Sequence, residues 1–324
     1  MPFMKIAFVG KGGAGKTTLA ALFARHLAAQ GRTVLALDAD INQNLAAALG
    51  EDADEAALQP TLGEHLDEIK GYLRGDNPRI SSVAAMVKTT PPGRGSRLLR
   101  AREDNPIWRR CLRTVAGVRL AATGGFAESD LGVACYHSKV GAVELILNHL
   151  VDADDEYVVV DMTAGADAFA SGLFTRFDRT FIVCEPTVRA VGVYRQYLNY
   201  AAEFEVAVSV VGNKVADDAD EAFLREHVGA DLLACLGVSR HVRAAEQGHP
   251  GPITDLEPAN RAVLDTMRST VDTTPRDWAR FTRQAVQFHL RNAAAWANAR
   301  TGEDLAGQID PEFTLGPTAL SVLA

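Results

Sequence analysis

The chain has 324 residues, 47% of them hydrophobic, enough to bury a sizeable core in one large domain or two ordinary ones. A formal net charge of −8 and a pI near 5.5 leave no general cationic field for phosphate backbones, which argues against a nucleic-acid partner. No run of about 18 apolar residues occurs, which excludes a membrane-spanning helix.

The N-terminus, Met-Pro-Phe-Met-Lys, enters an apolar strand without a charged leader or small-residue cleavage site, so no export is expected. The scattered Cys111, Cys135, Cys184 and Cys235 suit a reducing compartment, and the expected location is the cytoplasm. Near-continuous apolar runs predict strands at Lys5–Val9, Thr33–Leu37, Val118–Ala122, Tyr157–Val160, Thr180–Cys184, Ala207–Gly212 and Leu232–Leu236. The stretches between them, such as Thr17–Gln30 and Val140–Val151, have helical periodicity. The alternation predicts an α/β fold, a doubly wound and mostly parallel sheet flanked by helices, with ligands at the carboxyl ends of the strands.

Two segments break the pattern. Residues from about 60 to 117 carry Gly71, Gly75, Pro78, Pro91-Pro92-Gly93 and Gly95 and read as an irregular, partly helical insertion. Residues 275–324 read as a C-terminal extension, a single helix over Arg276–Arg300 followed by a tail, appended to a main domain spanning 1–274. The one basic cluster, Arg94, Arg97, Arg100, Arg102, Arg109, Arg110 and Arg113, lies in the insertion and reads as a solvated helix face.

Immediately after the first strand comes Gly10-Lys11-Gly12-Gly13-Ala14-Gly15-Lys16-Thr17-Thr18, which fits G-x-x-x-x-G-K-[ST]. Its glycines let backbone N–H groups turn inward around phosphate oxygens, and the helix that follows adds its positive end. Lys16 is expected to reach the β and γ phosphates, and Thr17 to offer its hydroxyl to Mg²⁺. The second strand ends in Asp38-Ala39-Asp40-Ile41-Asn42-Gln43-Asn44-Leu45, two carboxylates that invite Mg²⁺ and water, with a loop-capping part expected for one of them. A further strand ends in Val160-Asp161-Met162-Thr163-Ala164-Gly165, an acidic strand end whose Asp161 is expected to hold the Mg²⁺ shell, followed by a small-residue turn able to move.

Lys11 is the departure from a plain phosphate loop, and the spelling K-G-G-x-G-K-T resembles the deviant Walker A motif. The family with that motif contains the Min and Par ATPases, the nitrogenase iron protein and metal-insertion ATPases. The resemblance covers roughly residues 4–270 and implies an ATP-binding and ATP-hydrolysing protein that dimerises with ATP, Lys11 reaching the partner's nucleotide. Such a lysine would stabilise charge on the transferring phosphoryl group only when two subunits close. By the same resemblance Asp40 orients the attacking water, Asp38 supports the metal shell, and the strand end Val211-Gly212-Asn213-Lys214 reads the adenine edge through Asn213. Asp217 comes one place too late for a guanine-reading motif.

Asp38-Ala39-Asp40 with Asn44-Leu45, the Asp161-Met162 switch and Glu185-Pro186 are closest to the metallocentre-maturation branch, typified by the nickel-inserting ATPase of carbon monoxide dehydrogenase. That branch carries a C-x-C pair where this chain has Cys135-Tyr136-His137. A dimer would present two Cys and two His, a set compatible with Zn²⁺ or Ni²⁺. The expected function is therefore a slow Mg²⁺-dependent ATPase switch assisting metallocentre maturation or activation of an unidentified client enzyme. The alternative is a regulatory or positioning ATPase of the partition and division-site type, binding a protein partner in an ATP-dependent way.

Overall fold

The computed structural model describes residues 4–40, 42–125, 136–152, 155–163, 169 and 172–322. Its strands are β1 (Met4–Gly10), β2 (Thr33–Ala39), β3 (Arg113–Val115), β4 (Val118–Ala122), β5 (Glu156–Met162), β6 (Arg179–Cys184), β7 (Val208–Val215) and β8 (Leu232–Gly237). They form one sheet in the order β3-β4-β2-β5-β1-β6-β7-β8, parallel throughout except at the β3–β4 edge. The connection from β1 goes to one side of the sheet and that from β5 to the other, so the chain reverses direction across β1, where a ligand crevice is expected.

All seven predicted strands are present. The eighth, β3, falls inside the stretch read as irregular insertion. Its three residues join β4 through Ala116 and Gly117, both with positive φ, the backbone a tight hairpin requires.

Successive side chains of β1 point to opposite faces, which is why its apolar run is unbroken. Ile6 and Phe8 pack with Leu22 and Phe23 of α1 (Lys16–Ala29) and with Leu264 and Met267 of the helix Pro258–Asp272. Ala7 and Val9 share the opposite core with Leu73, Trp108, Ile146 and Leu150, and with Tyr194 and Leu224 from the helices beyond β6 and β7. Ile146 belongs to α2 (Tyr136–His149), which leads toward β5.

The C-terminal segment is fastened to the sheet by charge. Asp277 caps α3 (Trp278–Asn292) by accepting from the Arg280 N–H at 2.8 Å, which sets the start of the predicted helix two residues later than expected. A π-helical turn, Ala293–Ala297, and a short helix, Asn298–Thr301, complete it. Arg276, buried just before α3, pairs with Asp152 at 2.7 Å and Asp178 at 2.6 Å, at the amino-terminal end of the sheet. The tail returns over the insertion, where Asp310 accepts from Arg94 Nε at 2.8 Å and Gln308 donates to the Ala85 carbonyl at 2.9 Å.

The arginine cluster is solvated, but only Arg109 and Arg110 of it lie on a helix, Pro106–Cys111. Arg94, Arg102, Arg109, Arg110 and Arg113 each pair with a carboxylate, respectively Asp310, Glu156, Asp104, Glu68 and Glu51, and all but Arg113 do so with largely solvated side chains. Among the described residues no helix is long and apolar enough to cross a membrane.

Candidate nucleotide site

The phosphate loop fills the turn between β1 and α1. Gly10 is required by close approach: a Cβ there would stand 2.5 Å from the Val183 carbonyl of β6. Gly15 immediately precedes α1 with φ 94, and no side chain caps the helix. The first N–H groups of α1 are thus left for an anion, as phosphate recognition needs. Lys16 lies buried in the first turn, whereas Lys11 sits at the rim with its Nζ 3.3 Å from the Gly12 carbonyl and 3.7 Å from Glu185 Oε2.

Parallel pairing of β2 with β5 sets Asp38 opposite Asp161. Both are buried. Asp161 accepts from the Thr17 hydroxyl at 2.6 Å through Oδ2, while its Oδ1 is buried without a hydrogen-bond partner among the described residues. Burial, reinforced by the neighbouring Asp38 charge, raises the Asp161 carboxyl well above the usual range. A buried acceptor oxygen beside a hydroxyl on the phosphate loop fits a magnesium ion held through its water shell.

Asp38 is raised to about 6, mainly by burial, and both its oxygens are occupied. Oδ1 accepts the Asp40 N–H at 3.1 Å and Oδ2 the Leu45 N–H at 2.9 Å, so Asp38 caps the loop through both oxygens. Asp40 Oδ1 accepts from the Asn42 backbone and side chain at 3.0 and 3.1 Å, in a loop where Gln43 adopts a left-handed φ of 49.

The end of β7 clamps the phosphate loop from the far side. Asn213 Nδ2 donates to the Ala14 carbonyl at 2.8 Å and Lys214 Nζ to the Gly13 carbonyl at 2.7 Å. A base-reading Asn213 therefore has one of its two amide N–H groups engaged, leaving Oδ1 and the second N–H for a ligand. Lys214 also pairs with Glu185 Oε1 at 2.8 Å. This second contact was not foreseen, since only the strand order reveals that the end of β6 lies between β1 and β7.

The structure thus brings together Gly10, Lys11, Gly12, Gly13, Ala14, Gly15, Lys16, Thr17 and Thr18 with Asp38, Asp40, Asp161, Asn213 and Lys214 at one end of the sheet. Cys135, Ala164, Gly165 and the side chain of His137 lie outside the described residues. Among the described residues no group of three or more His, Cys, Asp or Glu could hold a metal ion.

The CobQ/CobB/MinD/ParA nucleotide binding domain family matches residues 6–250. The chain belongs to this family. It is therefore an ATP-binding, ATP-hydrolysing P-loop protein of the deviant Walker A type. It is 29% identical over 261 residues to the carbon monoxide dehydrogenase accessory protein CooC of Rhodospirillum rubrum, covering 80% of this chain and 92% of that protein. An uncharacterized ATP-binding protein of Methanocaldococcus jannaschii is 26% identical over 249 residues, 75% of this chain and 88% of that one. Among solved structures, the Aquifex aeolicus MinC:MinD cell division complex gives a TM-score of 0.53 at 21% identity, covering 86% of this chain and 98% of that one. A Borrelia burgdorferi plasmid partition protein bound to AMPPNP gives 0.55 at 13%, covering 84% and 100%. At these identities the structures speak for the fold alone.

Proposed function

We propose that the protein is an ATP-dependent dimeric switch that binds a protein partner in its ATP state. The observation that carries this reading is the contact between Thr17 and Asp161, which ties the phosphate loop to the strand end from which the second switch segment departs. A change at the phosphates is thereby passed to the end of β5.

In this reading the first turn of α1 and Lys16 hold the phosphates, and Asp40 orients the attacking water. Thr17 and Asp161 hold magnesium, with Asp38 keeping the first switch loop in shape behind them. The bound ion supplies neutralisation of phosphate charge. Asn213 Oδ1 accepts from the adenine amine. Lys11 crosses to the partner's nucleotide and completes the site only in the dimer, which makes turnover slow in isolated subunits.

Light scattering with ADP, and then with a non-hydrolysable ATP analogue and Mg²⁺, tests this. A dimer confined to the ATP analogue is expected, abolished by Lys11→Ala with ATP binding retained. Unchanged hydrolysis and dimerisation in that variant would remove the trans lysine.

Similarity to a carbon monoxide dehydrogenase accessory protein favours a second, narrower reading, in which the client is a metalloenzyme and two copies of Cys135 and His137 hold Zn²⁺ or Ni²⁺. Elemental analysis of reduced protein tests it: about half a metal per subunit, lost in Cys135→Ala, supports it, and metal-free wild type rules it out. The setting for either reading is the cytoplasm.

A further inference from the structure

Glu185 stands between two lysines of the nucleotide site. Its Oε1 is 2.8 Å from Lys214 Nζ and its Oε2 is 3.7 Å from Lys11 Nζ. The carboxylate side chain is only 17% exposed, so neither pair is fully screened by water. The two arms differ. Lys214 is fixed, since its Nζ also donates to the Gly13 carbonyl and its backbone is held at a left-handed φ of 60. Lys11 is loose, held by the longer contact to Glu185 and by the carbonyl of its own neighbour Gly12 at 3.3 Å.

We infer that Glu185 is a latch that parks Lys11 on its own subunit and so sets how readily the lysine is released to a second copy of this chain. This rests on the reading of Lys11 as the lysine that acts across the dimer. A carboxylate shared by two cations suits the task. When Lys11 departs for the partner's phosphates, Glu185 is not left as a bare buried charge, because Lys214 remains on it. The latch therefore yields at low cost, yet it holds Lys11 out of the way while no partner nucleotide competes for it. Lys214 has a double part, propping the phosphate loop and diluting the hold of Glu185 on Lys11.

The two arms predict opposite effects. Glu185→Gln keeps an acceptor for Lys214 but removes the charge that holds Lys11. The protein concentration needed for dimerisation should fall about two- to fivefold, the range of a partly exposed ion pair. Lys214→Met leaves Glu185 to Lys11 alone, tightens the latch and should raise that concentration.

Sedimentation velocity of the full chain at saturating non-hydrolysable ATP analogue and Mg²⁺ reads both, with circular dichroism to verify folding. Opposite shifts in the two variants are expected. An unchanged or weakened dimer in Glu185→Gln, or shifts of the same sign in both, overturns the latch. Lys11→Ala and Lys11→Ala/Glu185→Gln serve as the reference pair: both should stay monomeric. If instead both dimerise like wild type, the trans role of Lys11 itself fails and the latch fails with it, which separates the two ideas.

Discussion

The Thr17 hydroxyl donates to Asp161 Oδ2 over 2.6 Å, joining two residues 144 apart in sequence at the adjacent ends of the phosphate loop and β5. Asp161 is wholly buried and its other oxygen has no partner among the described residues, so the pair is set up for an ion and not for solvent. Asp161→Asn preserves the shape and the bond from Thr17 but removes the charge. Phosphate release with Mg²⁺ and ATP should slow about 10²–10³-fold, the cost of losing one preorganised charge-stabilising group. Binding of a fluorescent ATP analogue without Mg²⁺ should change little. A variant that hydrolyses at the wild-type rate would take Asp161 out of the metal site.

Gly15 has no room for a side chain. Its φ is 94, and a Cβ would stand 2.3 Å from Asn213 Nδ2, the atom that holds the Ala14 carbonyl. Gly15→Ala therefore combines left-handed strain of about 1–2 kcal/mol with loss of a hydrogen bond worth about 1 kcal/mol. Because the loop relieves the clash only by moving away from β7, ATP affinity should fall about ten- to a hundredfold. Titration calorimetry reads this directly, and undiminished affinity would show that Asn213 does not brace the loop.

The site was legible where local spelling carries the chemistry. Gly10 to Thr18, Asp38-Ala39-Asp40 and Asp161 each close an apolar strand, and a parallel sheet gathers strand ends on one side whatever their order. What could not be read was which ends are neighbours. That Asp38 lies beside Asp161 follows from β2 pairing with β5. That Glu185 reaches Lys11 and Lys214 follows from β6 lying between β1 and β7. That Asp38 caps the loop with both oxygens was hidden for a similar reason, since it depends on the Leu45 N–H folding back seven residues to reach it. Arg276 read as the first residue of the C-terminal helix, because nothing in its local sequence announces the two carboxylates that bury it.

Those carboxylates make Arg276 the residue on which the C-terminal segment depends. Burial works against the charge on Asp152, but Arg276 and Lys5 hold its carboxyl below the usual range. Removing the guanidinium would strand Asp152 and Asp178, both fully buried, without their main partner. Arg276→Met should cost about 3–5 kcal/mol in urea unfolding at neutral pH. Adding Asp178→Asn should restore part of that loss, since one stranded charge is then neutral, and a double-mutant cycle measures the coupling. Strict additivity of the two substitutions would refute the pairing.

His149 predicts how this region responds to acid. It is fully buried at the end of α2, with Nδ1 2.8 Å from the Leu145 carbonyl, and burial pushes its imidazole down to about 4. The folded protein keeps this histidine neutral, while the unfolded chain protonates it near the ordinary value of about 6.5. Its contribution is therefore present above pH 6.5 and is lost as pH falls toward 4, by roughly 3 kcal/mol in all. Asp178 works in the opposite direction. Burial pushes its carboxyl up to about 6, so the folded state binds that proton more tightly than the unfolded chain does, and stability is gained as pH falls through 6 toward 4. The two terms oppose each other in the wild type. His149→Leu removes the first and exposes the second, so denaturant unfolding of this variant should give a free energy that rises between pH 6.5 and 4 relative to wild type. Parallel pH profiles for the two proteins would mean that His149 takes up its proton without unfolding.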